Sequence, residues 1–269
     1  MSRNAVSGGG VSARALAGRR IVVTRPAGQA LHFAGMIRAA GGAPVAFPTI
    51  DIAPLENPSA LDAVLERLDQ FDLVIFVSAN AVLHAFARLD ALKLAWPQNL
   101  RAAATGPGTA AELAARGQAD TIHPPTRFDS EGMLAEIERL GLRPQRVLIV
   151  RGEGGREWLL DHLNAAGVSV RAVAGYMRLR GTADPAPLIQ MAEAGELDAI
   201  TVTSSEGGEN LLAMLAPNAL AVLGQTPIFV PHPRIAARMR ADDCPNVIET
   251  AGGDAGLIAG MSAYFAKAA

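Results

Sequence analysis

The stretch Arg20-Ile-Val-Val-Thr-Arg25 returns as Arg146-Val-Leu-Ile-Val-Arg151, an offset of 126 residues. Ala39-Ala40-Gly41 returns at the same offset as Ala165-Ala166-Gly167. Asp72 with its strand Leu73–Ser78 returns as Asp198 with Ala199–Ser204, and Pro107 with Ala110-Ala111 as Pro233 with Ala236-Ala237. Four matches in one register are hard to obtain by chance, because ordinary α/β similarity drifts. The period is too long for a solenoid, whose units run to about 20–50 residues. Two homologous α/β halves follow, with the cleft between them as the default place for function.

Within the first repeat, Ile21–Thr24 reads as a buried strand that ends at Arg25-Pro26. A helical pattern through Leu31, Met36 and Ile37 stops at Gly41-Gly42, a C-terminal signal. Next come a helix near Ser59–Leu68, a strand at Leu73–Val77, a helix from Ala79 to about Leu89 and a short strand near Arg101–Ala104. A helix from Pro107 to Arg116 and another from Asp129 or Ser130 complete the unit. Strands that alternate with helices and are nearly continuous Val/Ile/Leu imply parallel sheets covered on both faces. About five strand–helix units per repeat suggest a flavodoxin-like order in each domain. Val45–Pro54 and Val170–Arg180 break the rhythm at equivalent places and read as paired linker strands crossing between the domains.

The 269 residues suit two domains, each large enough for its own core. Half the residues are apolar but only 4% are aromatic, which argues against the base-stacking surfaces of single-strand binders. A net charge of −2 gives no global attraction to nucleic acid or anionic membrane, so an anionic ligand must meet local donors. Cys244 is alone, which excludes an internal disulfide and fits a reducing cytoplasm. The longest apolar runs are strand-sized. Residues 1–18 lack an apolar core and read as a disordered leader rather than a secretory signal. The lack of any acidic residue before Asp51 leaves a transit peptide as the other reading.

In open parallel sheets, ligands bind beyond the carboxyl ends of the strands. Those places carry Thr24-Arg25-Pro26, Ser78-Ala79-Asn80, Thr105-Gly106-Pro107-Gly108-Thr109, Arg151-Gly152-Glu153-Gly154-Gly155-Arg156 and Thr203-Ser204-Ser205. Helix starts with free N–H groups attract carboxylate or phosphate, although each Ser or Thr is also an ordinary N-cap and each Arg–Gly cluster also reads as a solvated turn. Gly106-x-Gly108-x-x-Ala111 has the outline of a dinucleotide fingerprint, but it sits late in the repeat and no ribose-binding acid follows. The histidines at 32, 84, 123, 162 and 232 show no ligand spacing, and no nucleophile elbow or phosphate loop is present. No conventional acid–base centre emerges. Tyr176, one of two tyrosines, lies in the second linker segment. It reads either as a hinge aromatic or as a neutral phenol able to donate a hydrogen bond to a leaving hydroxyl.

In their order and spacing, Val23-Thr24-Arg25-Pro26, Phe76-Val77-Ser78-Ala79-Asn80-Ala81-Val82, Thr105-Gly106-x-x-Thr109-Ala110, Leu148-Ile-Val-Arg151-Gly152-x-x-Gly155-Arg156, Tyr176 and Thr203-Ser204 resemble the uroporphyrinogen-III synthase family. The resemblance runs from about Arg20 to Ala266. It implies an α/β protein of two flavodoxin-like parallel-sheet domains joined by a two-stranded linker. Residues 19–48 with 180–269 form one domain, 53–172 the other, and 49–52 and 173–179 the linkers. The repeat alone suggests sequential halves, so this exchange is an implication of the resemblance. The pattern departs at His232-Pro233-Arg234-Ile235, the counterpart of Gly106-Pro107-Gly108-Thr109, where Ile235 replaces a hydroxyl and attention shifts to Arg234.

The implied reaction is the closure of hydroxymethylbilane, an open tetrapyrrole with eight carboxylates. Hydroxide leaves, an azafulvene forms, and attack by the substituted carbon of the last pyrrole gives a spiro intermediate that rearranges with ring D inverted. The enzyme's main task is then positioning. Tyr176 is the expected catalytic residue. Thr24, Arg25, Ser78, Asn80, Gly106, Thr109, Arg151, Ser204 and Arg234 are the expected substrate-binding residues. No metal or cofactor is implied, and the expected setting is a cytoplasmic monomer with transient hand-over from hydroxymethylbilane synthase, with no nucleic acid and no membrane. The alternatives are a two-domain cytoplasmic anion-binding or sensor protein without catalysis, and a nucleotide-sugar-dependent transferase.

Overall fold

A computed structural model describes residues 15–154, 157–216, 222–224 and 226–268. Along the chain, β1 (Arg20–Val23), α1 (Ala27–Ala39) and β2 (Ala43–Ala46) come first. They are followed by β3 (Ile50–Ala53), α2 (Ser59–Leu65), a 3₁₀ turn at Leu68–Gln70, β4 (Leu73–Phe76) and α3 (Ala79–Leu92). Then come β5 (Arg101–Ala104), α4 (Pro107–Ala115), α5 (Ser130–Arg139), β6 (Arg146–Gly152), α6 (Trp158–Ala165) and β7 (Ser169–Arg180). The last part holds α7 (Ala186–Glu193), β8 (Ala199–Thr201), α8 (Ser205–Leu215), β9 (Ile228–Val230), α9 (Pro233–Ala241), β10 (Val247–Glu249) and α10 (Gly253–Ala268). Among the described residues no helix is long and apolar enough to cross a membrane.

The chain forms two compact units. Unit 1 takes the residues up to Asp51 and from Leu179 onward, and unit 2 takes Ile52–Arg178. Each contains one five-stranded sheet, ordered β10-β9-β8-β1-β2 in unit 1 and β3-β7-β6-β4-β5 in unit 2. In unit 1, β1 runs parallel to β2 and β8, and β9 to β8 and β10. In unit 2, β4 runs parallel to β5 and β6, and β6 to β7. The strands are apolar on both faces because both faces are covered. In unit 1 Val22, Ile200 and Val230 enter one core, while Ile21, Val23 and Phe229 enter the other. In unit 2 Val74, Phe76, Leu148 and Val150 face one core and Leu73, Ile75, Val147 and Ile149 its opposite. Each such side chain contributes about 1.5–3 kcal/mol on burial.

The sequence repeat explains the pairing. In unit 1, β1 of the first repeat joins β8 of the second through Ile21↔Ala199, Val22↔Ile200 and Val23↔Thr201. In unit 2, β4 of the first repeat joins β6 of the second through Leu73↔Val147, Val74↔Leu148 and Ile75↔Ile149, the same register moved by the repeat offset. Arg20↔Ala43 and Arg146↔Ser169 correspond in the same way, as do Val74↔Ala102 and Ile200↔Ile228. Even β10 has a counterpart, since Ile248↔Phe229 in unit 1 matches the single bridge Ala103↔Ile122 in unit 2. The repeats are therefore not sequential domains, because each unit is built from both.

One side chain fixes the central junction in each unit. Asp72 accepts backbone hydrogen bonds from Gln145 (2.7 Å) and Arg146 (2.8 Å). Asp198 accepts one from the Arg20 backbone (2.8 Å) and one from Arg19 Nη1 (2.7 Å). Helix ends follow local chemistry. Gly41 and Gly167, at repeat-equivalent positions, take φ of +88° and +81° where α1 and α6 stop, and Asp129 caps α5 by accepting from Gly132 N.

Three expectations are corrected. The leader does not extend to residue 18, because Leu16 is fully buried in a unit 1 core and its N–H donates to the Ala40 carbonyl; residues 1–14 lie outside the described residues. Val45–Pro54 does not begin as a linker, since Val45 and Ala46 pair with Val22 and Val23 inside a sheet. Likewise Val170–Ala174 pair with Val147–Arg151, and Tyr176 pairs with Gly152 after a register shift, so most of that segment is sheet. These strands lie toward the margins of their sheets with mixed burial, so they lack the continuous apolar run that marks the central strands.

Candidate active site

The carboxyl end of the unit 2 sheet gathers residues far apart in sequence. Ser78 follows β4 and caps α3, with extended backbone and its Oγ accepting from Ala81 N at 3.2 Å. The same Oγ lies 3.1 Å from the phenol oxygen of Tyr176, 98 positions away in the chain. Tyr176 is only 4% exposed. Its ring stands against Gly152, where an added Cβ would come within 2.9 Å of Cζ and 3.0 Å of the hydroxyl. His84, on the next turns of α3, stacks on the ring with centroids 5.7 Å apart. Burial pushes His84 below the ordinary histidine value, which favours its neutral form. Asn80 opens the same helix, and its buried Nδ2 has no hydrogen-bond partner among the described residues. Sequence reasoning missed both Gly152 as a packing surface and His84. The three-residue spacing of Ser78, Ala81 and His84 was the available signal.

The neighbouring loop holds Thr105, whose hydroxyl donates to the Val77 carbonyl at 3.0 Å. Gly106 precedes α4, and an added Cβ would meet Phe128 Cβ at 3.2 Å. Thr109 is buried in the first turn of α4. Arg151 ends the β6 body with its side chain drawn to Glu157 Oε1 at 2.5 Å.

Unit 1 presents the repeat-equivalent strand ends. Ser204 caps α8 by accepting from Gly207 N at 3.0 Å. An added Cβ at Gly207 would meet Ser204 Oγ at 2.9 Å, Thr49 Oγ1 at 3.3 Å and Ile50 Cδ1 at 3.9 Å. Thr24 is buried and its hydroxyl donates to the Thr201 carbonyl at 2.8 Å. Arg25 pairs with Asp254 at 2.5 Å and lies over the Phe33 ring at 4.8 Å. His232 caps α9, its Nδ1 accepting from Arg234 N at 3.0 Å. The Arg234 side chain is exposed and has no ion-pair partner among the described residues. Ile235, where a hydroxyl was expected, belongs to the apolar core.

Ser78, Tyr176 and Asn80 thus come together, with Gly106 and Thr109 on the adjacent loop of the same sheet end. Ser204 and Arg234 sit at the corresponding end of the other sheet. Among the described residues no group of three His, Cys, Asp or Glu could hold a metal ion. One concavity, of about 910 Å³, lies elsewhere in unit 2, against Gln98, Arg101, Gln118, Asp120 and Leu142. It faces the amino end of β5, the pole that carries turns rather than ligands in parallel sheets.

Comparison with known proteins adds an independent line. A family model described as uroporphyrinogen-III synthase HemD matches residues 32–258. The uroporphyrinogen-III synthase of Synechococcus elongatus is 34% identical over 206 residues, covering 76% of this chain and 77% of that protein. That of Salmonella typhimurium is 35% identical over 189 residues, covering 69% and 76% respectively. Among solved structures, a mutant uroporphyrinogen III synthase of the extremely thermophilic bacterium Thermus thermophilus aligns with a TM-score of 0.57 at 17% identity, over 93% of this chain and 99% of that one. The Helicobacter pylori protein aligns with a TM-score of 0.55 at 18% identity, again over 93% and 99%. These two likenesses bear on the fold, a mixed α/β architecture with parallel sheets.

Proposed function

We propose how the enzyme works from the premise that the chain belongs to the uroporphyrinogen-III synthase family. Its reaction is the cyclisation of hydroxymethylbilane to uroporphyrinogen III with inversion of ring D and loss of water. The electron-rich pyrroles supply the push for ionisation, so the protein's work is to hold a conformation and ease hydroxide departure. A neutral donor suits that task, since it stabilises the leaving oxygen without placing a fixed charge beside a developing cation.

Tyr176, together with the Ser78 hydroxyl it touches, is the proposed source of that hydrogen bond, and the observation that carries it is the Tyr176–Ser78 contact at a strand's carboxyl end. Asn80, Gly106, Thr109, Arg151, Ser204 and Arg234 are the proposed contacts for the substrate's carboxylates, through side chains or free helix N–H groups. Thr24 and Arg25, whose side chains are engaged within unit 1, support the strand end that bears them. Two flavodoxin-like domains are the proposed architecture. The order β2-β1-β8-β9-β10, read from the edge of unit 1, supports this, and the adjacency of β3 and β7 supports a two-stranded linker. Domain limits at 19–48 with 180–269, and at 53–172, belong to this proposal, as do a cytoplasmic monomeric state and hand-over of substrate from hydroxymethylbilane synthase.

Incubation with hydroxymethylbilane, oxidation and isomer analysis test the reading. The inverted isomer should exceed the spontaneous background. Only the uninverted isomer, at the uncatalysed rate, would leave an anion-binding protein as the better account.

A further inference from the structure

The Tyr176 phenol has one hydrogen-bond partner among the described residues, Ser78 Oγ, and is buried. Either oxygen of this contact can donate, and because a buried hydroxyl proton without an acceptor is costly, burial favours the phenol as the donor to Ser78. Ser78 Oγ also accepts from Ala81 N. A hydroxyl oxygen has two lone pairs and one proton, so both acceptor sites of Ser78 are filled and only its own proton is uncommitted. That residue is half-buried, whereas Tyr176 is closed off by Gly152 behind the ring and by His84 stacked on it. Two accepted hydrogen bonds also make the Ser78 O–H a better donor, since chained hydrogen bonds polarise one another.

We infer that Ser78 is the catalytic residue that hydrogen-bonds the leaving hydroxyl, and that Tyr176, seated on Gly152, is a positioning residue acting through it. This rests on the synthase reading above. The C–O bond of the hydroxymethyl group breaks with its electron pair on oxygen. The oxygen leaves as water with a proton passed from Tyr176 to Ser78 and from Ser78 to the leaving group. The proton released by the last pyrrole as the ring closes restores the pair, so the substrate loses one water overall. Gly152 is required because a Cβ there would fall 3.0 Å from the phenol oxygen and 2.9 Å from Cζ, tilting the ring away from Ser78.

Single-turnover rates with hydroxymethylbilane, each with isomer analysis, test this on the full-length chain. Ser78→Ala should slow the reaction about 10²-fold and Tyr176→Phe about tenfold or more, while Ser78→Thr, which keeps both cap and hydroxyl, restores most of the rate. The double variant Ser78→Ala/Tyr176→Phe should be no slower than Ser78→Ala alone. Gly152→Ala should match Tyr176→Phe and add nothing to it. If Gly152→Ala does not fold, the Ser78/Tyr176 cycle decides alone. Multiplicative losses in the double variant, or a wild-type rate for Ser78→Ala, overturn the inference. Failure of wild-type protein to form the inverted isomer overturns instead the reading on which it rests.

Discussion

Ser78 and Ser204 occupy the same place in the two repeats, follow equivalent strands and cap equivalent helices with bonds of 3.2 and 3.0 Å. What surrounds them differs. Position 176, beside Ser78, is a tyrosine; its repeat counterpart beside Ser204 is Ile50. His84 in unit 2 corresponds to Asn210 in unit 1, whose side chain donates to the Thr49 carbonyl at 2.9 Å. One scaffold, used twice, therefore sets a phenol against the cap serine in unit 2, whereas Thr49 and Ile50 line the neighbourhood of the cap serine in unit 1. The cap is a property of the fold. The proposed chemistry is a property of one neighbour.

The largest expected effect that sharpens this contrast is on rate. Tyr176→Phe should slow single-turnover cyclisation at least tenfold while leaving the product inverted. Ile50→Val should leave the rate within about twofold and cost roughly 0.5–1.5 kcal/mol of stability. Purified, folded variants assayed side by side give the comparison, and equal rates would erase it.

A smaller effect concerns Thr24, whose counterpart in unit 2 is the buried Val150. Thr24→Val makes unit 1 resemble unit 2 at that point. It removes the hydrogen bond to the Thr201 carbonyl, so it should lower stability by about 1 kcal/mol, read from denaturant midpoints, with the rate nearly unchanged. A tenfold loss of rate would return Thr24 to the substrate.

The sheet junctions differ more subtly. The backbone N–H groups of Arg146 and Gln145 hold the Asp72 carboxyl below the ordinary carboxylate value. Its contribution is fully present above the unfolded pKa and is lost as pH falls through the lower folded pKa. Asp72→Asn should therefore destabilise the protein at neutral pH, with the gap to wild type narrowing as pH falls through the acid range. Urea midpoints measured from neutral to acid pH check this, and a gap that widens on acidification contradicts it.

The smallest effect is at Cys244, buried in unit 1 with its thiol raised to about 11 by burial and by Asp242 and Asp243. At neutral pH it should resist alkylation in the native state and react on unfolding, as mass spectrometry would show. Rapid native labelling would show that the core around it opens.

Much of the scaffold was legible because it rests on local signals: continuous apolar strands, Ser78, Asp129 and Ser204 as caps, and Gly41 as a stop. The constant offset carried more, since identical registers in β1–β8 and β6–β4 follow from it. The exchange of repeats between units did not, because a repeat records which strands are alike and not which are neighbours. Leu16 was missed since a single apolar residue among Ala and Gly has no period. At the site, the residue types were readable but their engagement was not. Arg25 meets Asp254, 229 positions away, and nothing local in the sequence links them. The closure of Tyr176 onto Gly152 depends on a register shift between Arg151 and Gly152, which no composition reveals.

The contrast between the two serines is tested most directly by measuring Ser78→Ala and Ser204→Ala together, each for thermal stability and for single-turnover rate with hydroxymethylbilane. Both lose one N-cap, so both should lose about 1 kcal/mol of stability. Ser78→Ala should in addition be slowed about 10²-fold. Ser204→Ala, which loses at most one dispersed carboxylate contact of order 1 kcal/mol, should stay within about fivefold of wild type. Equal rate losses in the two variants would contradict the account, because the two caps would then be alike in chemistry as well as in fold.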